Sequence, residues 1–242
     1  MSANHASIFP LIRFFSRPVT GVLMRLPVSA NQVTSVSLVL GLGAAWAATE
    51  ATQARAITAG LLMFGAYVLD NCDGEIARLK NQCSRFGMYF DSFVDWAVHT
   101  AFFWALGVGV AAATGEAFWN WLGLAAAAGG TLNFGLSIIL AARDRATAGA
   151  PPDPTGRAGE SPRALNDAPL PGRAAAEHAR RPETPGEWIL FAFRELARAD
   201  FCFIVLALAV FDALWVLLPA GAIGAQVYWM IALLKRAREF HV

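Results

Sequence analysis

Four aspartates, Asp70, Asp73, Asp91 and Asp95, fall within the stretch LDNCDGEIARLKNQCSRFGMYFDSFVDW, between long apolar runs on both sides. Carboxylates at the edge of hydrocarbon are costly and mark a functional site by default. Their spacing carries the chemistry. At about 100° per residue on a helix, Asp70, Asp73, Gly74 and Ala77 fall on one face. Asp91 and Asp95 are four apart and stack on one face of the next helix, with Gly87 one turn before them. Two helix ends therefore aim two carboxylates each at a shared point. Four negative charges in a low dielectric do not all stay ionised without cations. Two hard divalent ions, Mg²⁺ or Mn²⁺, would balance them with oxygen ligands. Paired metals of this kind clamp phosphate or pyrophosphate. Gly74 and Ala77 leave the helix surface bare on the same side, and Arg78 adds a fork of donors suited to phosphate oxygens.

The pattern D-x2-D-G-x2-A-R-x8-G-x3-D-x3-D, from Asp70 to Asp95, resembles the signature of the CDP-alcohol phosphotransferase family. Asp70, Asp73, Gly74, Ala77, Arg78, Gly87, Asp91 and Asp95 fill all its fixed positions. The resemblance implies metal ligation by Asp70, Asp73 and Asp91, with Asp95 as general base on the acceptor hydroxyl while also touching a metal. It implies that Gly74, Ala77, Arg78 and Gly87 seat the CDP part of the donor. Near Pro27–Thr34 (PVSANQVT), the chain is similar to the family's approach to its first transmembrane helix, which places Asn31 and Thr34 near the nucleotide. Here the proline sits farther from Asn31 than in the family pattern. Plain capping is the competing role, with Asn31 or Ser29 as the cap.

The elements that must position these residues are helical. Hydrophobic residues make up 56% of the chain and charged residues 15%, which excludes an ordinary soluble domain. The expected fold is an all-α polytopic membrane protein forming one domain over residues 1–242. Six transmembrane helices are expected, at about residues 32–48, 55–70, 89–111, 118–141, 199–218 and 220–234. An interfacial amphipathic helix over residues 7–26 precedes them, interrupted by Pro10 and Pro18, with Arg13, Arg17 and Arg25 toward anionic headgroups. Asn133 and Ser137, four apart, are expected to join helices. His99 continues the Gly87, Asp91, Asp95 stripe by one turn and is expected to bond a neighbouring helix. Eight of the twelve prolines lie in Thr147–Glu187, which has no hydrophobic periodicity and reads as a flexible loop. The three cysteines, Cys72, Cys83 and Cys202, have no metal or redox spacing. No cleavable signal peptide is expected at the N-terminus.

Of the nineteen lysines and arginines, only Arg55 falls in a short loop after the first, third or fifth expected span. This places both termini and the aspartates on the cytoplasmic side of a bilayer, expected to be a bacterial inner membrane. The expected activity is transfer of a substituted phosphate, phosphatidyl in the main reading, from a CDP-alcohol to an acceptor hydroxyl, with release of CMP in phospholipid synthesis. CDP-diacylglycerol is the expected donor. The alternatives are a CDP-inositol-type headgroup transferase, toward which Glu75 points, and a cation transporter using the aspartates as an ion path. A phosphorylated acceptor would be held by Arg143 and Arg145 after the fourth span, and by Arg194 and Arg198 before the fifth. The polar acceptor, the bilayer lipid and a second copy of the chain in a homodimer are the expected partners; nucleic acid is not.

Overall fold

The computed structural model describes residues 11–147 and 201–239. Among these residues the protein is all-helical. Seven α-helices run in order: α1 (Leu11–Leu23), α2 (Ala30–Ala48), α3 (Gln53–Leu79), α4 (Arg85–Thr114), α5 (Phe118–Thr147), α6 (Phe201–Val210) and α7 (Leu217–Glu239), with a 3₁₀ turn (Leu214–Val216) before α7.

Local signals in the sequence set the helix ends. Ser29 caps α2 through a reciprocal box with Gln32, so Ser29 and not Asn31 is the cap. Thr52 and Ser84 cap α3 and α4, each accepting a backbone N–H three residues on. At the end of α3, Asn81 takes a left-handed conformation (φ 54°). The Gln82 N–H then reaches the Ala77 carbonyl, and the Asn81 N–H that of Arg78, closing the helix with a Schellman motif. Gly115 ends α4 in the same left-handed region.

Packing arranges six helices in a ring: α2 beside α3, α3 beside α6, α6 joined through the 3₁₀ turn to α7, α7 beside α5, α5 beside α4, and α4 beside α2. Helix α1 lies outside, against α3. The backbones of α3 and α4 barely approach each other directly, which leaves a cleft between them. Helices α4 and α5 cross glycine on glycine. A Cβ on Gly107 would stand 2.9 Å from the Trp119 carbonyl oxygen and 3.0 Å from the Gly123 Cα. Only bare backbone permits α4 and α5 to meet this closely, as small residues do in membrane bundles.

Helices Arg85–Thr114 and Phe118–Arg143 are long and apolar enough to cross a membrane. Large apolar side chains cover the outside of the bundle, including Val39, Leu61, Trp104, Leu132, Ile139 and Ile223. A surface of this kind calls for an apolar surrounding. Trp46, Trp119, Trp121 and Trp215 gather at helix ends on one side of the bundle, where amphipathic rings favour a membrane interface.

The elements depart from the sequence expectation in four places. Helix α3 runs nine residues past the expected end of its span, carrying the first two aspartates on a continuous rod. The apolar run expected to form a fifth span through residue 218 breaks after Val210. Asp212 adopts φ 53°, the Ala213 N–H reaches the Leu208 carbonyl, and the next α-helix begins at Leu217. Asp212 is therefore the left-handed residue of a helix-ending motif and not a group within a span. Pro18 does not interrupt α1, which continues through it. Ser137 bonds the Phe134 carbonyl of its own helix, since a short hydroxyl reaches back along the turn more easily than across an interface. Polar links between helices come instead from Trp96 to Thr131 and from Gln226 to the Ala125 carbonyl. Pro10, the start of the expected interfacial helix and the Thr147–Glu187 loop beyond Thr147 lie outside the described residues.

Candidate active site

Two helices meet the chemistry end-on. Helix α3 ends and α4 begins at the same end of the bundle, joined by a turn at residues 80–84. That turn is fastened to the segment leading into α2. Lys80 Nζ donates to the carbonyls of Leu26 (2.9 Å) and Val28 (2.8 Å), and Gln82 Oε1 accepts from the Ala30 N–H (2.9 Å). The N-terminus of α2 is thereby held against the two aspartate-bearing helices.

The structure brings Asp70, Asp73 and Asp91 together. One carboxylate oxygen of each lies within 4.8 Å of the others. Asp73 is buried and accepts a 2.5 Å hydrogen bond from Thr34 Oγ1 of α2. Asp70 and Asp91 are partly exposed to the cleft. Asp95, one turn beyond Asp91, is exposed and lies outside this tightest group. Three carboxylates at this separation repel one another strongly in a low-dielectric site. The donor set is all hard oxygen, with no thiol or imidazole in the group. It fits Mg²⁺ or Mn²⁺ better than a softer metal.

The small residues of α3 and α4 lie close to polar side chains. The Arg78 guanidinium folds back over Gly74, with Nη1 at 3.5 Å from the position a Cβ would take. Arg78 is itself exposed. At Gly87, a Cβ would stand 3.0 Å from Asn31 Oδ1 and 3.2 Å from the capping hydroxyl of Ser84. Asn31 therefore lies against the start of α4, next to the site. Ala77 packs partly into the core.

Thr34, expected beside the nucleotide, directs its hydroxyl to Asp73 instead. Glu75 turns away from the cleft and accepts a 2.7 Å hydrogen bond from Thr20 of α1. Cys72 is fully buried and donates to the Ser16 carbonyl of α1. His99 bonds the neighbouring helix, as expected, through the Tyr67 hydroxyl. Arg143 lies exposed near the end of α5. The Arg145 side chain, Arg194 and Arg198 fall outside the described residues.

Sequence reasoning missed Tyr67, Lys80 and Gln82. Each acts through a partner more than thirty residues away, which local spacing does not reveal. A crevice of about 340 Å³ lined by Glu50, Thr114, Trp119, Asp212 and Trp215 lies at the opposite end of the bundle, apart from the carboxylates.

No curated protein matches the chain. The model of the CDP-alcohol phosphatidyltransferase family matches residues 27–157, more than half of the chain, and its span contains α2 to α5 with all four aspartates. The chain therefore belongs to the CDP-alcohol phosphatidyltransferase family, membrane enzymes that transfer a phosphatidyl group from a CDP-alcohol to an acceptor.

Proposed function

We propose that this transferase uses CDP-diacylglycerol as donor and the hydroxyl of a polar, phosphorylated alcohol as acceptor, releasing CMP. The observation that carries this reading is the convergence of Asp70, Asp73 and Asp91 beside an arginine folded over bare helix surface. Enzymes of the family use divalent cations. Asp70, Asp73 and Asp91 would hold two of them here, with Asp95 at the edge of the group. Bound there, the cations would offset the charge of the donor pyrophosphate and of the departing CMP.

The remaining work belongs to the chain's own residues. Gly74 leaves room for the nucleotide against α3, and Arg78 offers paired donors to its phosphate oxygens. Asn31 and Gly87 border the same space, between the starts of α2 and α4. The acceptor oxygen forms the new bond to the phosphorus that carries the diacylglycerol moiety. The bond from that phosphorus to the pyrophosphate bridging oxygen breaks, and the electron pair leaves with CMP. Asp95 accepts the proton of the attacking hydroxyl and later releases it to water. A carboxylate is a weak base at neutral pH, so its contribution rests on proximity and orientation.

Six membrane spans with α1 on the surface, both termini and the site on the cytoplasmic side of a bacterial inner membrane, complete the proposal. The ring of six helices, the outward apolar side chains and the one-sided distribution of lysine and arginine support it. One domain is supported by the packing of α6 and α7 onto the helices that the family match covers. Glu75, on which a CDP-inositol reading leans, is committed to Thr20 and lends that reading no weight.

The test is purified protein with CDP-diacylglycerol, Mg²⁺ or Mn²⁺ and a panel of labelled polar alcohols. CMP release and a lipid product are expected only with a divalent ion and a phosphorylated acceptor. Full CMP release in excess EDTA refutes the metal assignment, and product from neutral acceptors alone refutes the acceptor class.

A further inference from the structure

A hydrogen bond crosses the cleft beneath the carboxylates. Tyr67 lies one turn before Asp70 on α3, and His99 one turn after Asp95 on α4. The Tyr67 hydroxyl and His99 Nε2 are 2.5 Å apart. On its other side, His99 Nδ1 lies 2.7 Å from the backbone carbonyl oxygen of Asp95. A carbonyl only accepts, so Nδ1 carries the proton and Nε2 presents a lone pair to the tyrosine. The hydrogen bond therefore runs from Tyr67 to His99, with the imidazole anchored to the backbone at Asp95. Phe201 of α6 backs both rings, at 6.2 Å from Tyr67 and 5.4 Å from His99 between centroids. Phe201 is itself buried and meets Phe102 and Phe103 behind it. The pair has a firm backing, yet α3 and α4 barely touch through their backbones.

We propose that Tyr67 and His99 are positioning residues whose hydrogen bond is a strut between α3 and α4, setting the spacing of the carboxylates above it and so the affinity for a cation shared by both helices. This inference rests on the divalent-cation reading of Asp70, Asp73 and Asp91. Those ligands come from two helices that both pack on α2 but barely approach each other, so a bond running directly between them helps to set their separation. Groups that orient metal ligands from behind typically change affinity ten- to hundred-fold when removed.

The test uses the full chain in detergent or nanodiscs and counts bound Mn²⁺ by the electron paramagnetic resonance signal of free Mn²⁺. Wild type is measured first. Absence of Mn²⁺ binding there sinks the cation reading, and the strut falls with it. Given binding in wild type, Tyr67→Phe keeps the ring and removes only the hydroxyl. Its affinity for Mn²⁺ should fall about tenfold. Half-maximal CMP release should need correspondingly more Mn²⁺, with the rate recovering at saturation. Unchanged Mn²⁺ affinity in Tyr67→Phe overturns the strut while leaving the cation reading intact. Two histidine variants decide the matter should Tyr67→Phe fail to fold. Glutamine can place an acceptor where Nε2 stood, whereas asparagine can keep only the donor at Nδ1. His99→Gln should therefore bind Mn²⁺ more tightly than His99→Asn, and equal affinities overturn the proposal.

Discussion

Thr34 Oγ1 of α2 donates a 2.5 Å hydrogen bond to Asp73 Oδ2 of α3, thirty-nine residues away in the chain. Both side chains are buried, with Asp73 only 5% exposed. The bond ties to α2 a carboxylate that converges with those of Asp70 and Asp91.

Thr34→Val preserves the shape of the residue and removes the donor. A buried acceptor left without its partner costs about 1–3 kcal/mol and frees the carboxylate to turn. The Mg²⁺ concentration for half-maximal CMP release should rise about tenfold, and Thr34→Ser should fall between the two. A raised KM for the CDP-donor with unchanged Mg²⁺ dependence would place Thr34 on the nucleotide, where the sequence pattern puts it.

Asp95→Asn should lower kcat by at least about a hundredfold, the usual contribution of a positioned base. CDP binding measured by calorimetry should stay close to that of wild type, because Asp95 lies outside the tight group of Asp70, Asp73 and Asp91. Near-normal turnover would remove Asp95 from the chemical step. Loss of Mn²⁺ affinity alone would make it a metal ligand instead.

The carboxylates were legible in the sequence because their partners lie within a helical turn or two, where spacing dictates a shared face. The site as a whole was less so. Thr34 shows only as a helix-start threonine, and its bond to Asp73 depends on how α2 packs against α3. Lys80 looks like one more basic residue at a membrane edge until its ammonium is seen on the carbonyls of Leu26 and Val28. The fold shows the same division. The apolar content announced a helical membrane protein, and the ends of α4 fall within four residues of the expected span. The break after Val210 was hidden, because an aspartate and not a glycine holds the left-handed position, within an apolar run that reads as continuous.

Gly107→Ala tests the crossing of α4 and α5. The added methyl meets the Trp119 carbonyl and the Gly123 backbone, neither of which can rotate away. The helices must separate, at a cost of about 1–3 kcal/mol. Thermal unfolding in detergent should occur at a lower temperature than in wild type. Gly135→Ala, on α5, is the control, since nothing lies within 4 Å of its Cβ position. Equal stability of the two variants would mean that the close crossing contributes nothing.

Arg143 tests the acceptor. Helix α4 starts at the site and runs away from it, and α5 returns, so the last turns of α5 lie at the carboxylate end of the bundle. Arg143 is exposed there. Guanidinium groups near the cleft suit the bidentate capture of a phosphate on the acceptor. They also suit anionic headgroups, and the two roles differ in kinetics. As acceptor ligands, Arg143→Ala and Arg198→Ala should each raise the acceptor KM about tenfold or more, since a charged hydrogen bond contributes about 1.5–3 kcal/mol. The KM for the CDP-donor should hardly change. Wild-type acceptor kinetics in both variants, and in Arg145→Ala and Arg194→Ala, would assign these arginines to the lipid surface and make a neutral alcohol the better acceptor.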